Sequence, residues 1–281
     1  MTSTLETIAS KNNFNLLESI PLSGGDINKV FRLKCEEGDY VVKLNCASEF
    51  PEMFLAEAKG LQLLENTNSF RIPRQIATGA ENSYAYLLME FITSGPSHKN
   101  IWEHFARNLV KLHRTSRPKF GLDHNNYIGS LPQQNNPCDT GSEFYITQRL
   151  EPQFQMASQQ GFRFKNLEIL FKNIGEAIPK EIPSLIHGDL WGGNYLVSDN
   201  AKPVLIDPAI AYAPREMDVA MMKLFGGFPE EVFDHYNSLF PLEAEWENRL
   251  AFWQLYYLLV HLNLFGSGYL TRVKTIVSNF S

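Results

Sequence analysis

The segment from residue 187 to residue 208 places acidic and amide side chains at spacings that few folds can use. It begins with the string His-Gly-Asp-Leu-Trp-Gly-Gly-Asn at 187–194 and ends with Ile-Asp-Pro at 206–208. Two short apolar stretches, 195–197 and 203–206, flank a Ser-Asp-Asn turn and predict a small hairpin. That hairpin would bring the amide at the end of the first string close to the aspartate of the second.

Three side chains of this segment have the chemistry of phosphoryl transfer. The Asp189 carboxylate can accept a proton from a substrate hydroxyl, and Asn194 and Asp207 offer the hard oxygen donors that Mg²⁺ prefers. Protein kinases use the same residue order, at nearly the same spacing, in their catalytic loop and metal-binding turn. A bare His-x-Asp is common in ordinary turns, but the full pattern favours a phosphotransferase that uses ATP and Mg²⁺. We expect His187 to brace the loop.

The first third of the chain predicts a lobe of mixed α and β structure. Alternating apolar residues, turn residues and a helical period indicate the elements. They are strands at 29–33 and 40–44 joined by a turn at 36–39, a helix at 54–65 and a buried strand at 84–92.

This first lobe also offers candidates for an ATP site. Lys43 ends a Val-Val-Lys strand and Glu57 lies on the following helix, so we predict that the two pair and support the α- and β-phosphates. Gly24 and Gly25 could let backbone N–H groups approach the phosphates, although an ordinary turn explains this Gly pair equally well. Adenine contacts are expected from the backbone of one short segment: Met89, Glu90, Phe91 and Ile92.

Beyond a breaker cluster at 93–97 the pattern becomes mainly helical. We therefore predict an α+β, two-lobed fold with a β-rich lobe at 1–92 and a helical lobe at 93–281. The predicted helices span 100–114, 142–160 with a kink or break at Pro152, 166–177, and most of the chain from Met217 onward.

Composition excludes some classes of protein. The net charge of −6 and the pI of about 5.7 disfavour a nucleic-acid binder. The three cysteines, Cys35, Cys46 and Cys138, lack the spacing of a zinc site and are expected to be reduced. The first residues lack the features of a secretory signal, so we expect a cytoplasmic protein. The uncharged stretch 250–270 contains polar side chains and glycines, which favours a core helix over a membrane span.

The string His-Gly-Asp-Leu-Trp-Gly-Gly-Asn at 187–194, called the catalytic string below, resembles the catalytic loop of fructosamine kinases (ketosamine-3-kinases). These belong to the aminoglycoside phosphotransferase-like group. Further segments of the same family pattern follow in order along almost the whole chain. They are Tyr-Ile-Gly-Ser-Leu-Pro-Gln at 127–133, Arg-Leu-Glu-Pro-Gln at 149–153, Ile-Asp-Pro-Ala at 206–209, Leu-Phe-Gly-Gly-Phe at 224–228, Leu-Tyr-Tyr-Leu-Leu at 255–259 and Leu-Phe-Gly at 264–266.

The resemblance implies a protein-kinase-like fold and Mg-ATP-dependent phosphorylation of a sugar hydroxyl on a ketosamine. In that family the phosphate goes to the third sugar carbon, and the adduct then decomposes and frees the amine. By the same resemblance, Asp189 accepts the proton and Trp191 forms a wall of the acceptor site, where an aromatic face can pack on a sugar or near a cationic amine. A packing role for Trp191 beneath the loop is the alternative.

Two positions depart from the family pattern. Asp26 stands where many eukaryotic members carry a cysteine linked to redox-sensitive pairing of protomers, so that switch is not transferred here. Gly141 stands where an aromatic residue is common, which bears on local packing or on the acceptor pocket. We expect a monomer rather than an obligate oligomer, with a sugar–amine adduct as its partner and no binding of nucleic acid or membrane.

Two other functions remain open from the sequence. An aminoglycoside or choline kinase of the same fold would share every ATP-site residue, so only the acceptor side discriminates. A pseudokinase that binds nucleotide without catalysis is disfavoured, because the chain retains the five polar residues of the pattern: Lys43, Glu57, Asp189, Asn194 and Asp207.

Overall fold

The computed structural model describes residues 1–22 and 27–281 of the chain. Helices and strands are numbered separately in chain order. They are α1 (Thr2–Lys11), β1 (Leu16–Leu22), β2 (Lys29–Cys35), β3 (Gly38–Cys46), α2 (Met53–Asn66), β4 (Gln75–Glu81), β5 (Tyr84–Glu90), α3 (Ile101–His113), β6 (Asn126–Ile128), β7 (Leu131–Gln133), α4 (Gly141–Phe144), α5 (Glu151–Gln159), α6 (Leu167–Ala177), β8 (Ser184–Ile186), β9 (Tyr195–Val197), β10 (Pro203–Leu205), β11 (Ala211–Ala213), α7 (Glu216–Phe225), α8 (Glu230–Leu239), α9 (Trp246–Phe265) and α10 (Leu270–Phe280).

The chain divides into two compact units. One comprises residues 1–98 and 195–207, and the other comprises residues 99–194 and 208–281. The sequence had suggested a single change at residue 92, with everything after it in the second lobe. The difference has a local cause, because the β9–β10 hairpin bonds to residues of the first unit. The N–H of Gly95 donates to the carbonyl of Val197, and the N–H of Asp199 donates to the carbonyl of Thr93.

The first unit is built on a five-stranded antiparallel sheet in the order β1-β2-β3-β5-β4. The predicted strands at 29–33, 40–44 and 84–92 are confirmed as β2, β3 and β5, and the predicted helix at 54–65 is confirmed as α2. One face of the sheet packs with Leu5 and Ile8 of α1. Because side chains alternate along a strand, Val42 and Leu44 lie on that face and Lys43 lies on the other.

The second unit is mainly helical and encloses a large apolar core. The predicted core helix is confirmed: α9 is buried along most of its length, with Trp253, Tyr256 and Tyr257 almost completely covered. Helices α5, α7 and α10 pack against it. Within the described parts of the chain, no helix combines the length and the apolar character needed to cross a membrane.

The predicted interruption near Pro152 takes a specific form. The chain runs from α4 through a turn of π-helix at Tyr145–Leu150 into α5, and Pro152 lies in the first turn of α5. A first-turn proline is tolerated because its missing N–H would have no partner inside the helix. The irregular hydrogen bonding therefore precedes the proline, and the helix that follows is intact.

Candidate active site

A charged cluster in the first unit joins three residues that lie far apart in the sequence. Lys43 Nζ lies 2.6 Å from Glu57 Oε1 and 2.5 Å from Asp207 Oδ1. Strand β3 places the lysine on the sheet face away from α1, α2 supplies the glutamate, and the residue after Ile206 supplies the aspartate. The structure thus brings together three of the predicted site residues.

Two carboxylates surround a single ammonium in this cluster, so its formal charge is −1. Burial alone would lower the pKa of Lys43, but the charges of Asp207 and Glu57 outweigh burial and raise it above its ordinary value. Burial raises the pKa of Glu57, helped by the repulsion of Asp207 and opposed by Lys43. The raised pKa of Lys43 keeps its ammonium protonated. The cluster therefore has room for additional positive charge beside Asp207.

Asp207 combines an unusual backbone conformation with an exposed side chain. Asp207 has a φ of 55°, in the left-handed region that non-glycine residues seldom adopt. Its side chain is 44% exposed, whereas that of Lys43 is 6% exposed. The aspartate is therefore the member of the cluster that solvent or a ligand can reach.

The segment 89–92 at the end of β5 has part of its backbone already bonded. The N–H of Glu90 donates to the carbonyl of Arg74 and the N–H of Phe91 donates to the carbonyl of Asp39. Met89 and Ile92 are buried. These two N–H groups already have partners within the protein, so they are not available to adenine. The expected adenine contacts are therefore limited to the other backbone groups of the segment. Gly24 and Gly25, the predicted phosphate-loop glycines, lie outside the described residues, as does Asp26.

The catalytic string in the second unit is held by one buried carboxylate. Asp218 on α7 accepts a hydrogen bond from the N–H of His187 through Oδ2 and from the N–H of Gly188 through Oδ1, each at 2.8 Å. His187 itself is fully buried, and its carbonyl accepts from the N–H of Ala209 at 2.9 Å. His187 is thus buried at the start of the loop, and its bracing role stays a prediction.

Gly188 is required by the shape of this loop. Its φ is 82°, and a Cβ atom at this position would lie 2.0 Å from the carbonyl oxygen of Ala209. Contacts under 3.0 Å are not tolerated without movement of the backbone. Only glycine lets the strand end reverse here and present the next residue, Asp189.

Asp189 and Asn194 contact each other directly. The Asn194 Nδ2 group donates to the backbone carbonyl of Asp189 at 2.8 Å and to its Oδ2 at 2.9 Å. Asn194 is buried and Asp189 is half-buried. The amide nitrogen of Asn194 thus holds both the backbone and the carboxylate of Asp189.

Trp191 lies on the surface of the loop. It is 40% exposed, and its ring covers Gly193 so closely that a Cβ there would lie 2.3 Å from the ring. The structure therefore does not place this indole beneath the loop. The role of Trp191 as a wall of the acceptor site stays a prediction.

Sequence reasoning missed the support behind the loop. His113, at the end of α3, contacts Asp218 Oδ2 at 3.2 Å and the hydroxyl of Tyr236 at 2.7 Å, and all three residues are buried. Arg215 contacts the same hydroxyl at 3.3 Å and pairs with Glu181. The sequence did offer a signal, because Asp218 lies among apolar residues at 217–222. A buried charge needs partners, so this position predicts a polar network around it.

The donor atoms present fit a nucleotide phosphate and a hard divalent cation. Lys43 supplies an ammonium, and Asp207 and Asn194 supply carboxylate and amide oxygens. Among the described residues, no group of three or more His, Cys, Asp or Glu forms a metal site by itself. Magnesium sites commonly use one or two protein ligands together with substrate phosphates, so a reachable carboxylate such as that of Asp207 suits the cation.

Comparison with known proteins agrees with this geometry. The profile of the fructosamine kinase family matches residues 1–280. A probable ketoamine kinase from Enterococcus faecium is 39% identical over 274 residues, covering 93% of this chain and 94% of its own. The crystal structure of a proposed fructosamine-3-kinase from Haemophilus somnus superposes with a TM-score of 0.91 at 26% identity, covering 100% of this chain and 97% of its own.

More distant structures share the fold alone. The aminoglycoside phosphotransferase APH(4)-Ia superposes with a TM-score of 0.65 at 16% identity, over the full length of both chains. The predicted α+β, protein-kinase-like fold is confirmed by these comparisons. The chain belongs to the fructosamine kinase family, and it is a phosphotransferase whose acceptor is a sugar hydroxyl.

Proposed function

We propose that this protein uses Mg-ATP to phosphorylate the 3-hydroxyl of a ketosamine, such as fructoselysine or ribuloselysine. Decomposition of the phosphorylated adduct would then free the amine, which amounts to deglycation. The observation that carries the proposal is the Asp189 carboxylate, anchored by Asn194 on a loop that Asp218 holds by two backbone bonds. Membership of the fructosamine kinase family supports the choice of acceptor.

Asp189 is the proposed proton acceptor. Its carboxylate would orient the sugar hydroxyl and take the proton as the new P–O bond forms. The hydrogen bond from Asn194 Nδ2 to Asp189 Oδ2 would hold the carboxylate in the orientation that the substrate hydroxyl needs. His187 and Gly188 would shape the loop through their N–H bonds to Asp218. We assign no proton transfer to the His187 imidazole, because it is fully buried and its Nδ1 accepts from the N–H of Asp189.

Lys43 and Glu57 are the proposed support for the nucleotide. Lys43 would contact the α- and β-phosphates, and Glu57 would keep the ammonium in position. Asn194 and Asp207 are the proposed Mg²⁺ ligands; the bound metal would neutralise charge on the phosphate oxygens. The remaining backbone groups of 89–92 are proposed to contact adenine. ATP as donor, together with free cysteines in the described chain, supports a cytoplasmic site of action.

Trp191 is the proposed wall of the acceptor site. Its ring is exposed, is fixed over Gly193 and belongs to the same short loop as Asp189. An aromatic face of this kind can pack against the C–H face of a sugar.

A substrate panel tests the proposed function. Purified protein with Mg-ATP is offered fructoselysine, ribuloselysine, choline and an aminoglycoside, and ADP release is measured for each. We expect turnover of the two ketosamines, with the phosphate on the third sugar carbon by ³¹P–¹H NMR. Activity on choline or the aminoglycoside alone would identify a different kinase of the same fold, and nucleotide binding without any turnover would identify a pseudokinase.

A further inference from the structure

Four residues of the second unit form a group of rings around one imidazole. This aromatic cluster consists of Phe225 at the end of α7, His261 and Phe265 on α9, and Tyr269 just after it. The centroid of the His261 ring lies 4.4 Å from that of Phe225, 5.5 Å from that of Phe265 and 5.1 Å from that of Tyr269. Phe265 is 51% exposed and the other three are half-buried. The cluster therefore opens to the surface.

The aromatic cluster is joined to the catalytic loop through the backbone. Gly226 follows Phe225 directly, and its carbonyl accepts a hydrogen bond from the N–H of Gly192 at 3.1 Å. Gly192 and Gly227 pack so closely that a Cβ on Gly227 would lie 2.5 Å from the Gly192 Cα. Gly192 in turn follows Trp191. The residue after Phe225 is thus bonded to the residue after Trp191, which we propose as the acceptor wall.

His261 is held as a neutral acceptor. Its Nδ1 contacts the carbonyl of Tyr257 at 2.8 Å, and a carbonyl can only accept, so Nδ1 carries the proton. Burial lowers the pKa of His261, with the carbonyl contact opposing that shift in part. The remaining nitrogen, Nε2, therefore has a lone pair, and it has no hydrogen-bond partner in the described residues.

The ring faces of the cluster have no cation of their own. Residues 250–271 contain no Asp, Glu, Lys or Arg. The nearest lysine in sequence, Lys223, bonds to Glu230 and lies over the ring of Phe233 at 4.2 Å. In the described chain, no Lys or Arg lies over Phe225, Phe265 or Tyr269. Electron-rich ring faces beside a nitrogen lone pair are complementary to an alkylammonium that carries an N–H.

We propose that the aromatic cluster is the subsite for the protonated amine and alkyl carrier of the ketosamine. The ammonium lies over the rings of Phe225, Phe265 and Tyr269 and donates its N–H to His261 Nε2. The alkyl carrier extends over Phe265 toward the surface. This inference rests on the proposed function, because it locates one half of that acceptor. The aromatic cluster then determines which amines are accepted, whereas Asp189 acts on the reacting hydroxyl.

Binding of two matched ligands tests the proposal. The cationic ligand is 1-deoxy-1-(propylamino)fructose, and the neutral ligand is the ether 1-O-propylfructose. Isothermal titration with wild-type protein should show at least a tenfold preference for the amine. Phe265→Ala and His261→Gln should each weaken amine binding by about 3- to 30-fold, the range of a lost cation–π or charged hydrogen-bond contact, with little change for the ether. Ile169→Ala is the matched control, because Ile169 is 49% exposed on α6.

The outcomes separate the subsite from the reaction. Equal wild-type affinity for amine and ether, or variants that weaken both ligands equally, would overturn the amine subsite even if the ketosamine is phosphorylated. A preference that the variants abolish would support the subsite even if no ADP is released, in which case the proposed phosphotransfer alone would fail. Thermal unfolding of each variant establishes that it is folded, and the two substitutions provide independent tests.

Discussion

Lys43 Nζ lies 2.6 Å from Glu57 Oε1, a contact between the central strand of the sheet and helix α2. Both side chains are almost completely removed from solvent, and the third partner of the lysine, Asp207, is not. The lysine therefore connects the interior of the first unit to a reachable carboxylate. This arrangement makes its removal informative about both stability and turnover.

Replacing Lys43 by methionine should reduce kcat/KM for the proposed ketosamine reaction by about 10²- to 10³-fold, because the charge that we propose to stabilise the phosphates is lost. It should also lower the free energy of unfolding by about 1–3 kcal/mol, since Glu57 loses its buried partner while Asp207 remains partly solvated. Steady-state kinetics and urea denaturation measure the two effects. Lys34→Met is the control, because Lys34 pairs with Glu18 on the exposed side of the sheet. Wild-type turnover in Lys43→Met would remove the lysine from the nucleotide site.

Replacing Asp189 by asparagine should reduce kcat by about 10²- to 10⁴-fold, the usual contribution of a positioned base. Nucleotide affinity, measured by titration with a non-hydrolysable ATP analogue, should stay close to that of the wild type. Asp199→Asn, at an exposed turn of the β9–β10 hairpin, controls for a change of charge. If Asp189→Asn retains normal turnover, another group accepts the proton.

Asp218→Asn tests the support of the loop. The N–H of His187 bonds to Oδ2 and that of Gly188 to Oδ1, whereas an asparagine replaces one of these oxygens by an NH2 donor, which would face a backbone N–H. We expect a loss of about 2–3 kcal/mol in the free energy of unfolding, because a charged hydrogen-bond acceptor is lost from the interior. Turnover should fall while nucleotide affinity is retained. Asp234→Asn on the exposed face of α8 should change neither stability nor turnover. Equal behaviour of the two variants would argue against a role of Asp218 in supporting the loop.

Gly188→Ala and Gly161→Ala form a matched pair. Both glycines have positive φ, 82° and 91°, but a Cβ at Gly161 meets nothing within 4 Å whereas one at Gly188 meets the carbonyl of Ala209. Gly161→Ala should cost about 1 kcal/mol for the left-handed conformation alone. Gly188→Ala should cost about 3–5 kcal/mol, since overpacking against backbone is added, and should abolish turnover. Similar thermal stabilities of the two variants would contradict the close approach at Gly188.

The pH dependence of stability should reveal the neutral state of His261. Because the pKa of His261 is lowered in the folded protein, its neutral form contributes stability that is fully present above the ordinary histidine value of 6.5. That stability should be lost as the pH falls from 6.5 through the lower folded value, since the unfolded chain then binds the proton more readily. His261→Gln does not titrate, so the wild type should lose stability relative to it over this window. Parallel stability curves would show that the imidazole is not held neutral.

Local pattern in the sequence was sufficient for several elements. The residues at 40–44 predicted β3, and a turn at 36–39 predicted its pairing with β2. The helical period predicted α2 and, in the second unit, α3 and α6. Other elements were not predicted, among them β1, β4 and the small pair β8–β11. Strands of this kind depend on partners distant in sequence, and their own residues carry little periodicity.

The chemistry of this protein was determined by the sequence, because His187, Asp189, Asn194 and Asp207 stand at spacings that phosphotransferases use and because the family pattern spans the chain. The tertiary structure alone decided how these residues are supported. It placed Asp218 behind the loop, grouped residues 195–207 with the first unit, used two N–H groups of 89–92 internally, and put His261 among three aromatic rings. The reason is physical: a spacing identifies which groups can react, but buried hydrogen bonds and ring contacts form only between residues that the folded chain brings together.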